Sequence, residues 1–302
     1  LYRVVSGIDC FDPKFNIVSP GADPRVFFPY FKEANRPREI RQEIETMVYG
    51  SPDCAYRGLL SDQTKPLLFC MSRLDRIKNM AGLVEWYAKD DELRKAANLL
   101  IVGGRLRVEE SGDRDEREQI ERTHWLFDEY DLEDNVRWVE MQTDKNKVGE
   151  LYRFVADQRG AFVQPALFEA FGLTVVESMS SGLPTFATRY GGPLEIIEDG
   201  KSGFHIDPTQ GALTTEKMLA FLRSCEADPG AWDRISKGGI ERVEERYNWS
   251  LYASTLLKLS RIYGFWRYIS SLERDETRRY LEMIYGLLLR PLSKKVLEHH
   301  EH

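Results

Sequence analysis

Two glutamates are the first residues in this sequence that could do chemistry together. Glu169 lies in a predicted loop after an apolar run that ends at Pro165, and Glu177 lies in a helix predicted to open at Gly172. Side chains on a helix lean toward its N-terminus, so we expect Glu177 to reach the space that Glu169 enters from the loop. The free N–H groups at the start of that helix suit a phosphate. The pattern is typical of a site for a sugar linked to a phosphate, but the spacing alone is weak in a sequence rich in Glu.

A regular alternation of apolar runs and amphipathic helices surrounds this stretch. Strands are predicted at 67–71, 98–102, 136–139, 161–163, 184–187 and 203–206. Helices are predicted at 38–48, 80–87, 114–129, 148–155, after Gly172, and at 194–197, 213–222, 232–246, 251–265 and 272–288. This alternation favours an α/β fold with a Rossmann-like parallel sheet, helices on both faces and a helical C-terminal tail. In such a sheet ligands bind beyond the carboxyl ends of the strands.

The chain is interpreted as four parts. Residues 1–30 are an incoming connection with a first strand at 15–18, and residues 31–228 form the Rossmann-like lobe. Residues 229–296 are predicted to form C-terminal helices, and residues 297–302 resemble the remnant of a purification tag. Because the chain opens on Leu1 inside an apolar pattern, we expect it to be a piece of a longer protein.

The composition excludes several classes of protein. The chain is 42% hydrophobic and 30% charged, which is typical of a globular protein. Its net charge of −7 argues against a nucleic-acid partner or an anionic membrane surface. No apolar run approaches the roughly 20 residues that span a bilayer, and no secretory signal opens the chain. Four cysteines without a paired motif, and no metal-ligand cluster, favour a reduced cytoplasmic protein without a metal site.

Two cations follow the strand predicted at 67–71. Arg73 supplies a planar guanidinium and Lys78 a flexible ammonium, a combination that can hold a diphosphate at the carboxyl end of a strand. The alternative is a solvated charged loop with ion pairs to Asp75. The choice between a diphosphate site and a solvated loop depends on the residues that follow the other strands.

Other residues after the strands are less informative alone. Gly103 and Gly104 allow close backbone approach to a ligand, but they lack the glycine fingerprint of a dinucleotide-binding oxidoreductase. Gln142 carries an amide that could contact a base edge. The pair at Gly191 and Gly192 either lines a sugar or makes a tight turn, and the sequence leaves both open.

Taken together, these residues and the Glu-x7-Glu pair resemble the donor-binding lobe of retaining GT-B glycosyltransferases. Longer strings resemble the C-terminal half of the sucrose synthase family, and they lie at 1–9, 11–16, 149–153, 160–166 and 278–283. The resemblance covers the chain apart from its last few residues. It implies reversible glucosyl transfer between sucrose and UDP or ADP, giving NDP-glucose and fructose with retention and without a metal.

The resemblance also implies roles for individual residues. Catalytic roles fall to the two cations at the diphosphate and to the glutamate at the glucosyl ring: Arg73, Lys78 and Glu169. Substrate-binding roles fall to the uracil contact Gln142, the ribose contact Glu177, and the backbone that lines glucose and phosphates at Phe171, Gly172, Leu173 and Thr174. The N-terminal lobe supplies the fructose site in this family, so we expect the chain alone to be inactive and the full-length protein to be a homo-oligomer.

The sequence departs from the family pattern at two positions, and three alternative functions stay open. Val148 stands where plant members of the family have Asn, which puts a base or ribose contact and the nucleotide preference in doubt. Arg105 stands where the family usually has Asp. A sucrose-phosphate synthase or a glycogen or starch synthase-like lobe is the alternative within the class. A non-catalytic module that binds nucleotide sugars or supports assembly is the alternative outside it, and an oxidoreductase is least favoured.

Overall fold

The computed structural model describes residues 22–53, 55–270 and 274–293. The strand predicted at 15–18, the two N-terminal strings of the resemblance and the tag-like end lie outside these residues. The chain divides into two compact units between Asn248 and Trp249. Each unit is described by itself below, and the predicted four-part division stays a prediction.

A seven-stranded sheet forms the centre of the first unit. Its strands are β1 Tyr56–Arg57, β2 Leu67–Met71, β3 Asn98–Val102, β4 Val136–Val139, β5 Ala161–Gln164, β6 Thr185–Thr188 and β7 Phe204–Ile206. Their order is β1-β4-β3-β2-β5-β6-β7, and every neighbouring pair is parallel except β1 with β4. The predicted Rossmann-like parallel sheet is confirmed, with one short antiparallel strand added at its edge.

The strands are apolar because helices cover both faces of the sheet. All residues of β2 and β3 are buried. In the register of β2 with β5, Leu68 lies beside Ala161 and Phe69 beside Phe162. Carried forward, this register brings the carboxyl ends of the two strands level at Met71 and Gln164.

Nine α-helices accompany the sheet in the described part of the first unit. They are α1 Arg38–Tyr49, α2 Met80–Ala88, α3 Asp91–Ala96, α4 Arg114–Glu129, α5 Lys145–Asp157, α6 Leu173–Ser181, α7 Pro193–Ile196, α8 Gly211–Ala227 and α9 Gly230–Arg246. Helices α2, α3, α4 and α8 pack together, and α1, α5, α6 and α9 form a second group. The prediction of helices on both faces is confirmed.

A buried ion network fastens the chain before α1 to α5. Arg36 pairs with Glu150 at 2.5 Å and with Asp157 at 2.7 Å. Arg153 pairs with the second oxygen of Glu150 at 2.9 Å, and its guanidinium lies 3.9 Å from the ring centre of Phe28. Removing one partner would leave a buried charge unpaired, so the network fixes α5 in place.

The second unit contains two described helices, α10 Trp249–Ser270 and α11 Arg274–Ile284, and a π-helical turn at Tyr285–Leu289. Large apolar side chains are exposed along α11 and the turn, among them Tyr280, Leu281, Leu287 and Leu288. The predicted helical tail is therefore present. Among the described residues, none of the helices is both long and apolar enough to cross a bilayer.

Candidate active site at the switch point of the sheet

The carboxyl ends of β2 and β5 meet at the point where the strand order reverses. From β2 the chain continues toward β3 on one side, and from β5 it continues toward β6 on the other. Such a switch point opens a crevice at the carboxyl edge of the sheet. A cavity of about 270 Å³ lies there, lined by the end of β2, the loop after it, the end of β5 and the first turn of α6.

Two hydrogen bonds tie the loop after β2 to the loop after β5. The amide of Asn79 donates to the carbonyl of Pro165 at 3.1 Å. The backbone N–H of Leu167 donates to the carbonyl of Ile77 at 2.8 Å. These two bonds involve Ile77 and Asn79, the neighbours of Lys78 in the chain, so they hold the Lys78 ammonium toward the opposite side of the crevice.

Lys78, Glu169 and Gln164 form one polar cluster in this cavity. The Nζ of Lys78 lies 2.6 Å from Oε2 of Glu169, and the side-chain amide of Gln164 donates to the same oxygen at 2.8 Å. The side chains of Lys78 and Glu169 are 23% and 13% exposed, so water screens this ion pair only partly. The cluster offers a cation, a carboxylate and an amide to a ligand.

The glycine pair at Gly191 and Gly192 holds the loop that carries Glu169. The N–H of Glu169 donates to the carbonyl of Tyr190 at 3.0 Å, and the N–H of Gly192 donates to the carbonyl of Glu169 at 2.8 Å. Gly191 has a φ of +104°, and a Cβ there would meet that carbonyl at 2.0 Å. Only glycine permits this approach, so the pair positions Glu169.

The start of α6 lies at the same cavity, and the first N–H groups of a helix have no partner one turn earlier within it. Gly172 precedes the helix with a φ of +101°, a conformation that favours glycine, and no side chain caps the first turn. Leu173 and Thr174 line the cavity. The side chain of Phe171 is partly buried and packs against the core. The geometry expected for an anion at a helix N-terminus is therefore present.

Arg73 and Lys78 both line the cavity, but each is paired with a different carboxylate. Arg73 lies 3.0 Å from Asp75, and its side chain is 77% exposed. The ion pair that the sequence offered as the alternative is thus present for Arg73, whereas Lys78 reaches Glu169. An exposed ion pair is weak, so Arg73 is free to turn toward an anion at little cost.

Glu177 lies inside α6. It is largely buried against α5, where Lys145 and the hydroxyl of Tyr152 are its neighbours, and it is absent from the lining of the cavity. Burial raises the pKa of Glu177 to about 8, while Lys145 and Tyr152 oppose the shift. Helix α6 packs on α5, which brings Glu177 to these two neighbours, and its place in the space of Glu169 stays a prediction.

Gln142 and a second cavity lie after β4. The amide of Gln142 donates to the carbonyl of Glu140 in its own loop at 3.0 Å. A neighbouring cavity of about 470 Å³ is lined by residues after β2, β3 and β4, and it shares Arg73 and Met141 with the smaller cavity. Together the two cavities offer more room than a hexose alone requires.

The two departures from the family pattern lie in different surroundings, since Arg105 lines the larger cavity and Val148 does not. Val148 is buried in α5, with 7% of its surface exposed. Arg105 lies 3.6 Å from Glu140 and is largely exposed.

In the described part of the chain, no three His, Cys, Asp or Glu side chains are grouped as metal ligands.

Comparison with known proteins identifies the class of this protein, which is that of the glycosyltransferases. The chain belongs to the family glycosyl transferases group 1, whose model matches residues 56–231, more than half of its length. Residues 1–49 match a second model, the sucrose synthase first GT-B domain.

Individual relatives narrow this class. The chain is 56% identical over 98% of its length to sucrose synthase from Nitrosomonas europaea, and 52% identical over the same share to sucrose synthase 2 from Pisum sativum. The predicted resemblance to sucrose synthases is confirmed. The chain spans 37% of the length of each of these relatives, which fits the expected C-terminal half.

Solved structures show the same fold. Sucrose-phosphate synthase from Thermosynechococcus elongatus has a TM-score of 0.58 at 24% identity, covering 81% of this chain and 51% of that one. Anabaena HepE in complex with UDP and glucose also has a TM-score of 0.58, at 16% identity, covering 79% of this chain and 54% of that one. At these identities the likeness establishes the fold alone, that of a GT-B lobe.

Proposed function

We propose that this chain is the donor-binding lobe of an enzyme that transfers glucose reversibly between sucrose and a nucleoside diphosphate, with retention, giving NDP-glucose and fructose. The cluster of Lys78, Glu169 and Gln164 carries the proposal, because it lies at the switch point of a chain that is 52–56% identical to sucrose synthases. A carboxylate fixed by an ammonium and an amide can accept hydrogen bonds from a ring that carries several hydroxyls.

The charges at the cavity suit the proposed reaction. Breaking the bond between the glucosyl carbon and the phosphate leaves negative charge on the diphosphate. Lys78 and Arg73 would hold this charge, and the N-terminus of α6 at Leu173 and Thr174 would add positive potential. Since these groups supply the stabilisation, we propose that the reaction needs no metal.

The nucleoside would lie beyond the diphosphate. We assign Gln142 to the base and Glu177 to the ribose hydroxyls. The cavity that shares Arg73 and Met141 with the smaller one supplies room for this part of the donor. Gln142 and Glu177 line neither cavity, so both assignments rest on the resemblance to the family rather than on the geometry.

The activity is tested on the protein at its full length. Sucrose and UDP are expected to give UDP-glucose, measured by chromatography, whereas the 302-residue chain alone should bind UDP without turnover. In the direction of synthesis, faster reaction with fructose than with fructose 6-phosphate separates this enzyme from a sucrose-phosphate synthase. UDP binding without product at full length would contradict the proposal and favour a binding module.

Two variants test the cluster itself. Lys78→Ala and Glu169→Gln should each lower kcat by about 100-fold or more, because both groups face charge or hydroxyls of the reacting sugar phosphate. Lys89→Ala is the matched control, since Lys89 is exposed and pairs with Glu85 on α2. If rate and unfolding stability fall in parallel in both cluster variants, the cluster is structural.

A further inference from the structure

Gln164 is a buried side chain with one polar atom unused. It is the last residue of β5, only 3% exposed, and it lines the cavity at the switch point. Its amide nitrogen donates to Oε2 of Glu169 at 2.8 Å. Its amide oxygen, Oε1, is buried and has no hydrogen-bond partner.

The chemistry of Glu169 fixes which atom is unused. A carboxylate only accepts hydrogen bonds, so the NH₂ group of Gln164 must face it. Turning the amide over would place two oxygens against each other. The free atom is therefore an acceptor, and the ligand group that it fits is a donor.

The position of Oε1 of Gln164 distinguishes it from the other buried atoms that have no hydrogen-bond partner. Within the described part of the chain, the other such side-chain atoms belong to Tyr49, Asn98, Arg137 and Tyr152, and none of these residues lines the cavity. An unused acceptor in the interior lowers stability, and a ligand that donates a hydrogen bond recovers the loss.

A hydroxyl is the donor that the cavity favours. The ammonium of Lys78 donates to Oε2 of Glu169, the same oxygen that accepts from Gln164, and it makes no hydrogen bond to Oε1 of Gln164. A ring hydroxyl between Gln164 and Glu169 could donate to the free oxygen while a second hydroxyl binds the carboxylate. Phosphate and uracil would bring mainly acceptors to this atom.

We propose that Gln164 is a specificity-determining residue for the hexose of the donor. Its oxygen accepts a hydrogen bond from one ring hydroxyl, and its amide holds Glu169 in place for another. This role rests on the proposed function, because it takes the ligand to be a nucleotide sugar. It predicts that Gln164 affects recognition of the sugar and leaves recognition of the nucleotide unchanged.

Calorimetry on the protein at its full length tests the role with UDP, UDP-glucose and UDP-glucose analogues that each lack one ring hydroxyl. Gln164→Met keeps the size of the side chain but removes both hydrogen bonds. We expect its UDP affinity to stay within about twofold of wild type, and its preference for UDP-glucose over UDP to fall about tenfold or more. One analogue that wild type binds poorly should bind the variant as well as UDP-glucose does.

A matched control is available at the opposite edge of the sheet. Asn98 begins β3, is fully buried, donates to the carbonyl of Asp62 at 2.7 Å and also has an unpaired oxygen. Asn98→Leu should lower stability without changing the preference for UDP-glucose over UDP. A change of preference in this control would overturn the assignment to Gln164.

Other outcomes separate the two proposals. If wild type binds both ligands and Gln164→Met keeps the wild-type preference, or loses UDP as strongly as UDP-glucose, Gln164 only packs the site. If that variant does not fold, Gln164→Asn withdraws both groups by one methylene and should show the same selective loss; an unchanged preference overturns the role. A wild type that binds neither ligand contradicts the proposed function and this role with it.

Discussion

Because Glu177 is buried, we predict that replacing it with Gln stabilises the folded chain at alkaline pH. The folded chain raises the pKa of Glu177 from an ordinary value of 4.5 to about 8 because burial removes water from the charged form. As the pH rises, the unfolded chain releases this proton first, so the free energy of unfolding falls between pH 4.5 and about 8. Each pH unit in that window costs about 1.4 kcal/mol, which bounds the loss at about 5 kcal/mol.

Glu177→Gln should remove this pH dependence, because the amide does not ionise. We expect the free energy of unfolding of the variant to match that of wild type near pH 4.5 and to exceed it by about 2–4 kcal/mol near pH 9. Urea unfolding at about pH 5, 7 and 9, followed by tryptophan fluorescence, measures the difference.

The control for this prediction is Glu226→Gln on α8, where the same substitution is made at an exposed glutamate. Its difference from wild type should change little with pH. The reasoning is refuted if the difference between Glu177→Gln and wild type is constant from about pH 5 to pH 9, because burial would then not hold the carboxyl in its neutral form.

Three further predictions concern the support of the site. Gly191→Ala should destabilise the chain by about 2 kcal/mol or more and lower UDP-glucose affinity, since its Cβ meets the carbonyl of Glu169. The control Gly286→Ala, whose Cβ meets nothing, should do neither, and equal unfolding midpoints for Gly191→Ala and wild type would contradict this. Asp144→Ala should cost about 1 kcal/mol by uncapping α5, measured by urea unfolding, and no loss would contradict the capping role. EDTA should leave the transfer rate unchanged, and restoration by added Mg²⁺ of a rate lost to EDTA would contradict a metal-free reaction.

Most of the sheet follows from local sequence. The predicted bounds of β2, β3, α4 and β4 are confirmed, because apolar runs and a capping aspartate such as Asp113 mark their ends. Helix α5 starts three residues earlier than predicted, at Lys145, because Asp144 accepts from the N–H groups of its first turn. Strand β1 and helix α3 were missed because two and six residues are too few to show a period.

The site residues were predictable one by one, and so was the ion pair of Arg73 with Asp75, but the pairing of Lys78 with Glu169 was not. Lys78 and Glu169 each follow a strand, yet their contact depends on β2 and β5 being neighbours in the sheet. Gln164 was not proposed, because it ends a buried strand whose predicted run stopped at Val163. A polar residue between an apolar run and Pro165 was the signal that could have identified it.

The environment of Glu177 depended on packing between helices. Its position inside α6 was predicted, but its direction is set by the contact of α6 with α5, where Tyr152 and Lys145 lie. Likewise, sequence left two roles open for Gly191, and the close approach of the Glu169 carbonyl shows that the turn requires glycine. Both outcomes depend on contacts between distant segments, which local patterns do not encode.

A crystal structure of the full-length protein with UDP-glucose tests the central claim most directly. The account predicts the glucosyl ring within hydrogen-bond distance of Glu169, and the diphosphate between Lys78 and the N-terminus of α6. A diphosphate bound elsewhere, for example at the separate cavity lined by Arg189 and Lys217, would contradict it.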